Sequence, residues 1–137
     1  MVTETNLRRD VFRLLFNLIN DNKPSGWYCR ASISNVDAEF PLILLNPVQV
    51  EAERWSTEKR DVMITIKIDL FVHSESNNAT LDVGRDNVYK TLNDNLNIVY
   101  GSDNLIIDEI NDISEPSIED VGDNTFITAS IMVRMRI

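Results

Sequence analysis

The sequence has very few of the residues from which most catalytic and metal sites are built. It contains one cysteine, Cys29, and one histidine, His73. A single cysteine excludes an internal disulfide and a cysteine-based metal site, and it fits a reducing compartment. Cys29 is most simply a small buried apolar residue. A histidine site needs partners, so we expect His73, on the polar side of a predicted strand, to be structural or solvent-exposed.

Glycine is also scarce, which excludes the common phosphate-binding loops. The four glycines form neither a P-loop nor a dinucleotide fingerprint. No G-x-S-x-G occurs, and a nucleophilic pair would require Cys29, on a predicted inward face, to meet His73. The acids of 115–124 lack the ligand spacing of a calcium loop. We therefore expect no catalytic residue, no metal, no cofactor and no enzyme activity.

Long apolar runs are missing as well. No run approaches the length that spans a bilayer, and the first one, Leu7 to Ile19, is interrupted by charges, unlike a signal peptide. Yet 43% of the 137 residues are hydrophobic, which is enough to bury a core. These features predict one globular domain of the cell interior, residues 1–137, without a membrane partner.

Acidic charge is concentrated in one stretch of the chain. The net charge is −9, and the segment from Gly101 to Asn124 carries −8 of it without any Lys or Arg. Its eight acids are Asp103, Asp108, Glu109, Asp112, Glu115, Glu119, Asp120 and Asp123. A basic footprint for gripping nucleic acid is absent. The ordinary interpretation of such a cluster is a solvated loop that aids solubility.

Two segments carry the period of an amphipathic helix. The first has an apolar face from Leu7 onward, and Pro24 stops it. The second is predicted from about Thr80 to Val99. Gly84 lies inside this second helix, which indicates close backbone packing at that position.

Alternating apolar and polar residues predict the strands, and the acidic residues 115–124 are predicted to form a loop. The clearest strand, Asp61 to His73, is apolar at six of six alternate positions and longer than a usual strand, so part of it is expected to project beyond the sheet. Because of Pro41, we expect a short apolar strand either to lie at an edge of the sheet or to have the proline at its start. The predicted strands are Trp27–Ile33, Phe40–Leu45, Val48–Ala52, Asp61–His73, Leu105–Ile113 and Phe126–Ile137.

Together these elements predict the fold class α+β. We expect a mostly antiparallel mixed sheet with two helices packed on one face, in the order α-β-β-β-α-β-β, with one strand broken.

The charged segment after the third strand is the candidate contact surface. Exposed aromatic and arginine residues are typical interface anchors, and this segment holds Glu53, Arg54, Trp55, Glu58, Lys59 and Arg60. Two ordinary interpretations stay open. Trp55 can fold back onto the core, and alternating charges are also typical of a solvated hairpin tip.

The order of these elements resembles the tail terminator family of long-tailed bacteriophages, also called tail completion or head–tail joining proteins. The resemblance covers nearly the whole chain and rests on size, element order and two placements, Phe40-Pro41-Leu42-Ile43 and the strand from Val62 to Val72. It implies a structural virion protein that forms a ring, usually a hexamer. Such a ring caps the tail tube and joins it to the head connector.

The resemblance also implies partners and a place of action. The partners are other copies of the chain, the tail tube protein and the head connector or neck protein, and the place is the virion tail or neck, with the host cytoplasm during assembly. DNA would be passing cargo without specific binding, and an acidic lumen would repel it. The candidate channel or loop acids are Asp108, Asp112, Glu115, Glu119, Asp120 and Asp123.

Two other functions stay open. One is another phage neck, connector or baseplate subunit with a similar fold, since a fold does not fix a function. The other is a small non-viral α+β ligand-binding module with a pocket between helices and sheet.

Overall fold

A computed structural model describes residues 4–31, 39–55, 60–73, 78–101, 103–121 and 124–137. These residues form two helices and seven strands. In chain order they are α1 (Glu4–Asn22), β1 (Tyr28–Ala31), β2 (Leu42–Leu45), β3 (Gln49–Trp55), β4 (Arg60–His73), α2 (Asn78–Asn93), β5 (Asn97–Tyr100), β6 (Asp103–Val121) and β7 (Asn124–Arg136). The predicted α+β class is confirmed. Four strands precede α2, which agrees with the predicted order once one of its strands is broken, but three strands follow α2 where two were predicted.

All seven strands belong to one sheet. Six of them follow the order β1-β2-β4-β7-β6-β5, and β3 pairs with β4 off this path. Only β1 and β2 run parallel, and every other described pair is antiparallel, as predicted. Because β7 occupies one edge of β4 from Met63 to His73, β2 and β3 share the other edge. Pro41 directly precedes β2, which lies between β1 and β4, so the proline stands at the start of an internal strand.

Both helices pack on one face of this sheet, as predicted. The alternate residues of β4 from Val62 to Val72 and of β7 from Ala129 to Met135 face them and are buried. Each helix contributes one apolar stripe to this core. The stripe of α1 is Leu7, Val11, Leu15 and Ile19, and that of α2 is Leu81, Val88 and Leu92. Burying an aliphatic side chain of this size contributes roughly 1.5–3 kcal/mol.

The opposite face carries no described helix but holds a smaller aromatic cluster at one end of the sheet. Phe71 of β4 and Phe126 of β7 are buried there with Leu42 and Leu44 of β2. Phe40 stacks on Phe126 with the ring centroids 4.2 Å apart. His73 borders this cluster, 5.1 Å from the Phe126 ring, and is exposed, which agrees with the sequence-based expectation.

The predicted end of the second helix is wrong. The helix ends at Asn93, and Asn97–Tyr100 forms β5, which pairs with the start of β6. Turn-forming residues Asn93, Asp94 and Asn95 break the helix, although the apolar residues after them continue its period. Gly101 follows β5. It has φ +60° and makes the turn between β5 and β6.

The predicted loop at 115–124 is wrong over most of its length. β6 continues to Val121 and pairs with β7 as far as Asn124. The ladder shifts register between Asp112 and Ser114 and again between Ser114 and Ser117. Pro116 lies in the second shift, where its missing N–H removes no ladder bond. Acids, a proline and these two register shifts hide the alternation in this part of β6, and its pairing with the regularly alternating β7 makes it a strand.

Candidate functional site

Chemistry-bearing side chains are dispersed in the described part of the chain. No group of three or more His, Cys, Asp or Glu residues there could hold a metal ion. Neither described helix is both long and apolar enough to cross a membrane.

Asp69 and Ser130 form a hydrogen-bonded pair on the helix-free face of the sheet. The hydroxyl of Ser130 donates to Asp69 Oδ1, and Asn46 Nδ2 donates to Asp69 Oδ2 at 2.8 Å. His73 stands four residues further along β4, which is about 13 Å away in an extended strand. A serine nucleophile here would lack its histidine base. The pair therefore ties β7, β4 and the residue after β2 together.

Cys29 is half-buried in β1, opposite Ile43 of β2, and packs against the main core. Burial raises the pKa of the Cys29 thiol to about 11, and the nearby Lys23 ammonium acts weakly in the opposite direction. At neutral pH the sulfur is protonated, and a thiol is a much weaker nucleophile than a thiolate.

The candidate contact residues Glu53, Arg54, Trp55 and Arg60 lie on a projecting ribbon, defined as the part of the β3–β4 hairpin beyond the end of β7. Trp55 pairs with Arg60 and Arg54 pairs with Asp61. The last described residue of the chain, Ile137, donates its N–H to the carbonyl of Val62. These two residue pairs therefore lie beyond the end of β7. The backbone alone is described at these four positions, and Glu58 and Lys59 lie outside the described residues.

The first two candidate channel acids, Asp108 and Asp112, are placed apart. Arg136 Nε donates to Asp108 Oδ1 at 3.1 Å, and Arg136 belongs to the helix-free face. Asp112 lies toward the helices, where Arg85 Nη2 of α2 donates to its Oδ2 at 2.9 Å. Burial, with a hydrogen bond to Asp112 as the second cause, raises the pKa of the Tyr89 hydroxyl. Asp112 therefore clamps α2 onto β6.

The other candidate acids follow along the distal part of β6, which we define as residues 113–121. Glu115 stands in the irregular stretch, and the backbones of Glu119 and Asp120 pair with Phe126 and Thr125 of β7. Asp123 lies outside the described residues. The five described candidates are thus spread along one long strand instead of one loop.

A groove beside α1 was not predicted from the sequence. It has a volume of about 570 Å³. Three arginines and two phenylalanines of α1 line it, namely Arg8, Arg9, Arg13, Phe12 and Phe16. Its other wall comes from Leu45, at the end of β2, and from Pro47 and Val48 in the connection to β3. The groove therefore combines an apolar interior with cationic side chains.

The signal for this groove was present in the sequence. Phe12 and Phe16 are one helical turn apart and stack with ring centroids 6.0 Å apart. They extend the apolar stripe of α1 past what the core needs, and both stay only partly buried. Arginines interleaved with a widened apolar stripe indicate a binding face, although sequence alone does not supply the opposite wall.

Two exposed isoleucines mark the distal part of β6. Ile113 is 47% exposed and Ile118 is 72% exposed. Among the described residues, β5 pairs with β6 only as far as Ile106, so the outer edge of β6 beyond that point has no described strand partner. A long, open edge with exposed apolar residues is typical of a strand that meets another chain.

The chain matches no protein-family model, and no curated protein matches its sequence. Function is therefore inferred from the surfaces of the chain itself. Three of them stand out: the projecting ribbon, the distal part of β6 and the groove beside α1.

Proposed function

We propose that this chain is a structural virion subunit of the tail terminator type. Copies of it form a ring that ends the phage tail tube and joins the tube to the head connector. In this role the chain has no enzymatic activity and needs no cofactor. It acts in the tail or neck of the virion after assembly in the host cytoplasm.

One observation carries the proposal: two hairpins extend from opposite parts of a small, helix-covered core. β4 has 14 residues and β6 has 19, whereas strands in globular proteins are usually about 5–6 residues long. Strands that outrun their own core are well suited to contacts with neighbouring subunits or a tube. The resemblance in element order to the terminator family supports the same role.

The charge distribution is compatible with a ring through which DNA passes. The segment from Gly101 to Asn124 carries a net charge of −8 and contains no Lys or Arg that could bind phosphate. Acids that face a lumen repel the DNA duplex. Asp108 and Asp112 already bond to Arg136 and Arg85. Within this proposal the lumen charge therefore comes from acids that follow later in the sequence, such as Glu119 and Asp123.

Tail-tube assembly tests this proposal directly. Tube protein is polymerised with and without the chain, and the tubes are imaged by negative-stain electron microscopy. A terminator stops elongation and leaves a cap on one end of each tube. Tubes that grow to the same length without caps contradict the proposal. A chain that binds the sides or the opposite end of the tubes is instead a different neck, connector or baseplate subunit.

The groove beside α1 favours a second candidate, a small ligand-binding module. Phenylalanine rings flanked by arginines suit an anionic ligand with an apolar body. This function predicts a monomer or dimer that saturates with such a ligand and ignores tail tubes. Heat stabilisation by aromatic carboxylates, without any effect on tubes, would support it.

A further inference from the structure

The groove beside α1 has the chemistry to hold an apolar side chain flanked by carboxylates. The stacked rings of Phe12 and Phe16 supply the apolar interior, together with Leu45 and Val48. Arg8, Arg9 and Arg13 supply the positive charge. The Nε of Arg9 also lies 3.7 Å from Oδ1 of Asp10. Apolar anchors surrounded by complementary charge are typical of protein–protein interfaces.

The distal part of β6 has the matching chemistry. Ile118 shares the highest exposure among the large hydrophobic residues that the structure describes, at 72%. It is flanked in the sequence by Glu115 and Asp120, in a segment without any Lys or Arg. An arginine-lined apolar groove and an acid-flanked isoleucine are complementary in both charge and polarity.

The open edge of β6 is better suited to side-chain docking than to strand pairing. Register shifts on both sides of Ser114, together with Pro116, break the regular row of backbone donors and acceptors. The segment that forms this edge also carries several acids and no Lys or Arg, so two copies of the same edge repel each other. A partner therefore meets this region through side chains such as Ile118.

The hairpin cannot fill the groove of its own chain. β6 is hydrogen-bonded to β7, and β7 and β4 separate it from β2, whose last residue lines the groove. Three strand spacings place β6 about 14 Å from β2. The two surfaces thus lie on different sides of one subunit, and a pairing between them joins one copy to the next.

We propose that the groove beside α1 receives Ile118 and its flanking acids from the distal part of β6 of a second copy. The contact is head-to-tail, so each copy offers one groove and one hairpin, and such contacts close into a ring or continue as a filament. This inference deepens the proposed ring, but it requires only another copy of this chain and no tail tube.

The first test compares two exposed hydrophobic residues in solution. Ile118→Lys is expected to weaken self-association roughly tenfold or more, because it places an ammonium group in an apolar groove that arginines line. Val99→Lys is the matched control, since Val99 on β5 is also 72% exposed, and it should associate as the wild type does. Native mass spectrometry across a concentration series gives the oligomer distribution, and circular dichroism verifies that both variants fold.

A charge exchange then tests the pairing itself. Arg9→Glu/Arg13→Glu and Glu115→Arg/Asp120→Arg should each lose self-association by like-charge repulsion. Mixed together, the two variants attract each other at both contacts, because the groove of each one meets a hairpin of opposite charge on the other. They should therefore co-assemble in a 1:1 ratio, although neither assembles alone. The chain with all four substitutions should assemble like the wild type. Lys90→Glu, on the exposed side of α2 outside the groove, controls for net charge.

The opposite results overturn the inference. A wild type that stays monomeric at every concentration contradicts it, and so does a folded Ile118→Lys variant that assembles normally. Charge variants that stay monomeric when mixed also overturn the inference. Saturation of the groove by a small aromatic carboxylate, with the chain remaining monomeric, overturns it as well. If the Arg9→Glu/Arg13→Glu variant still forms caps on tail tubes, that result would overturn the groove contact but would not contradict the terminator role. Oligomers that depend on the groove but do not bind tail tubes would support the groove contact and contradict the terminator role.

Discussion

The indole of Trp27 fills the space beside Gly84 in which any other residue would place its Cβ. A Cβ built on Gly84 would lie 2.7 Å from Cζ3 and 2.8 Å from Cζ2 of Trp27, far inside van der Waals contact. Trp27 is buried just before β1 and Gly84 lies in α2, so this contact sets how closely the helix approaches the start of the sheet. The close packing predicted from Gly84 in the sequence is confirmed.

Gly84→Ala should destabilise the protein by about 1–3 kcal/mol, the usual cost of overpacking a core. The loss appears although alanine is the better helix former by roughly 0.8–1 kcal/mol. Urea unfolding followed by circular dichroism measures it. Trp27→Phe removes the ring atoms that collide with the new methyl, so the double variant should show a coupling energy of about 1 kcal/mol or more. Strictly additive effects would show that the two residues do not meet.

Asp69→Ala should lower the free energy of unfolding by about 1–3 kcal/mol, because Ser130 and Asn46 lose their common acceptor. Asp82→Ala is the control. Asp82 is an exposed acid of α2, 3.5 Å from Arg85, and its loss should change stability by less than about 0.5 kcal/mol. Equal effects of the two substitutions would mean that the Asp69 network adds nothing beyond surface charge.

Cys29 should make the fold sensitive to alkaline pH. Burial raises its pKa from the ordinary 9.0 to about 11, so the folded state holds the proton that the unfolded state releases. The stabilisation is fully present below pH 9 and is lost as the pH rises through 11, amounting to roughly 1–2 kcal/mol. Unfolding of the wild type and of Cys29→Ala at several pH values isolates this contribution. Parallel pH profiles for the two proteins would contradict it.

The thiol should also react slowly while the protein is folded. At neutral pH an aromatic disulfide reagent is expected to modify Cys29 at least about tenfold more slowly in the folded chain than in urea, because thiolate is scarce and partly shielded. The rate should rise with pH up to the pKa near 11. Equal rates in the two states would place the sulfur in solvent.

The lumen acids can be tested in assembled particles. Glu119→Lys with Asp123→Lys should leave folding and ring formation unchanged but slow the passage of DNA, because lysines bind the phosphates that acids repel. The rate of DNA release from particles in low salt is the measurement, and high salt should restore it. The pair Glu119→Gln with Asp123→Gln separates lost repulsion from gained attraction. Unchanged release at low salt by the lysine variant would remove these acids from the channel.

The sequence predicted the parts of the fold in which one periodicity dominates. The alternation in β4 and β7, the apolar face of α1 and the effect of Pro41 follow from local geometry and burial, and the structure confirms each. The end of α2 was missed because Leu96 and Val99 keep the helical period. In the structure Leu96 precedes β5 and is 45% exposed, and Val99 lies in β5 and is 72% exposed. Pairing with β6, a long-range contact, decides that segment.

The surfaces were harder to predict than the core. The acidic residues after Ile113 resemble a loop because their strand structure depends on bulges and on β7, neither of which has a local signal. The groove needs α1 beside the end of β2, a juxtaposition that only tertiary packing creates. The arginines that line it were noted in the sequence only as interruptions of an apolar run.

The copy number of this chain at a tube end tests the central proposal most directly. Native mass spectrometry of the free chain, combined with electron microscopy of tail tubes incubated with it, gives that number. A closed ring, of six subunits by the family resemblance, seated on one end of each tube is the predicted result. A stable dimer that leaves tube ends bare at every concentration would contradict the account.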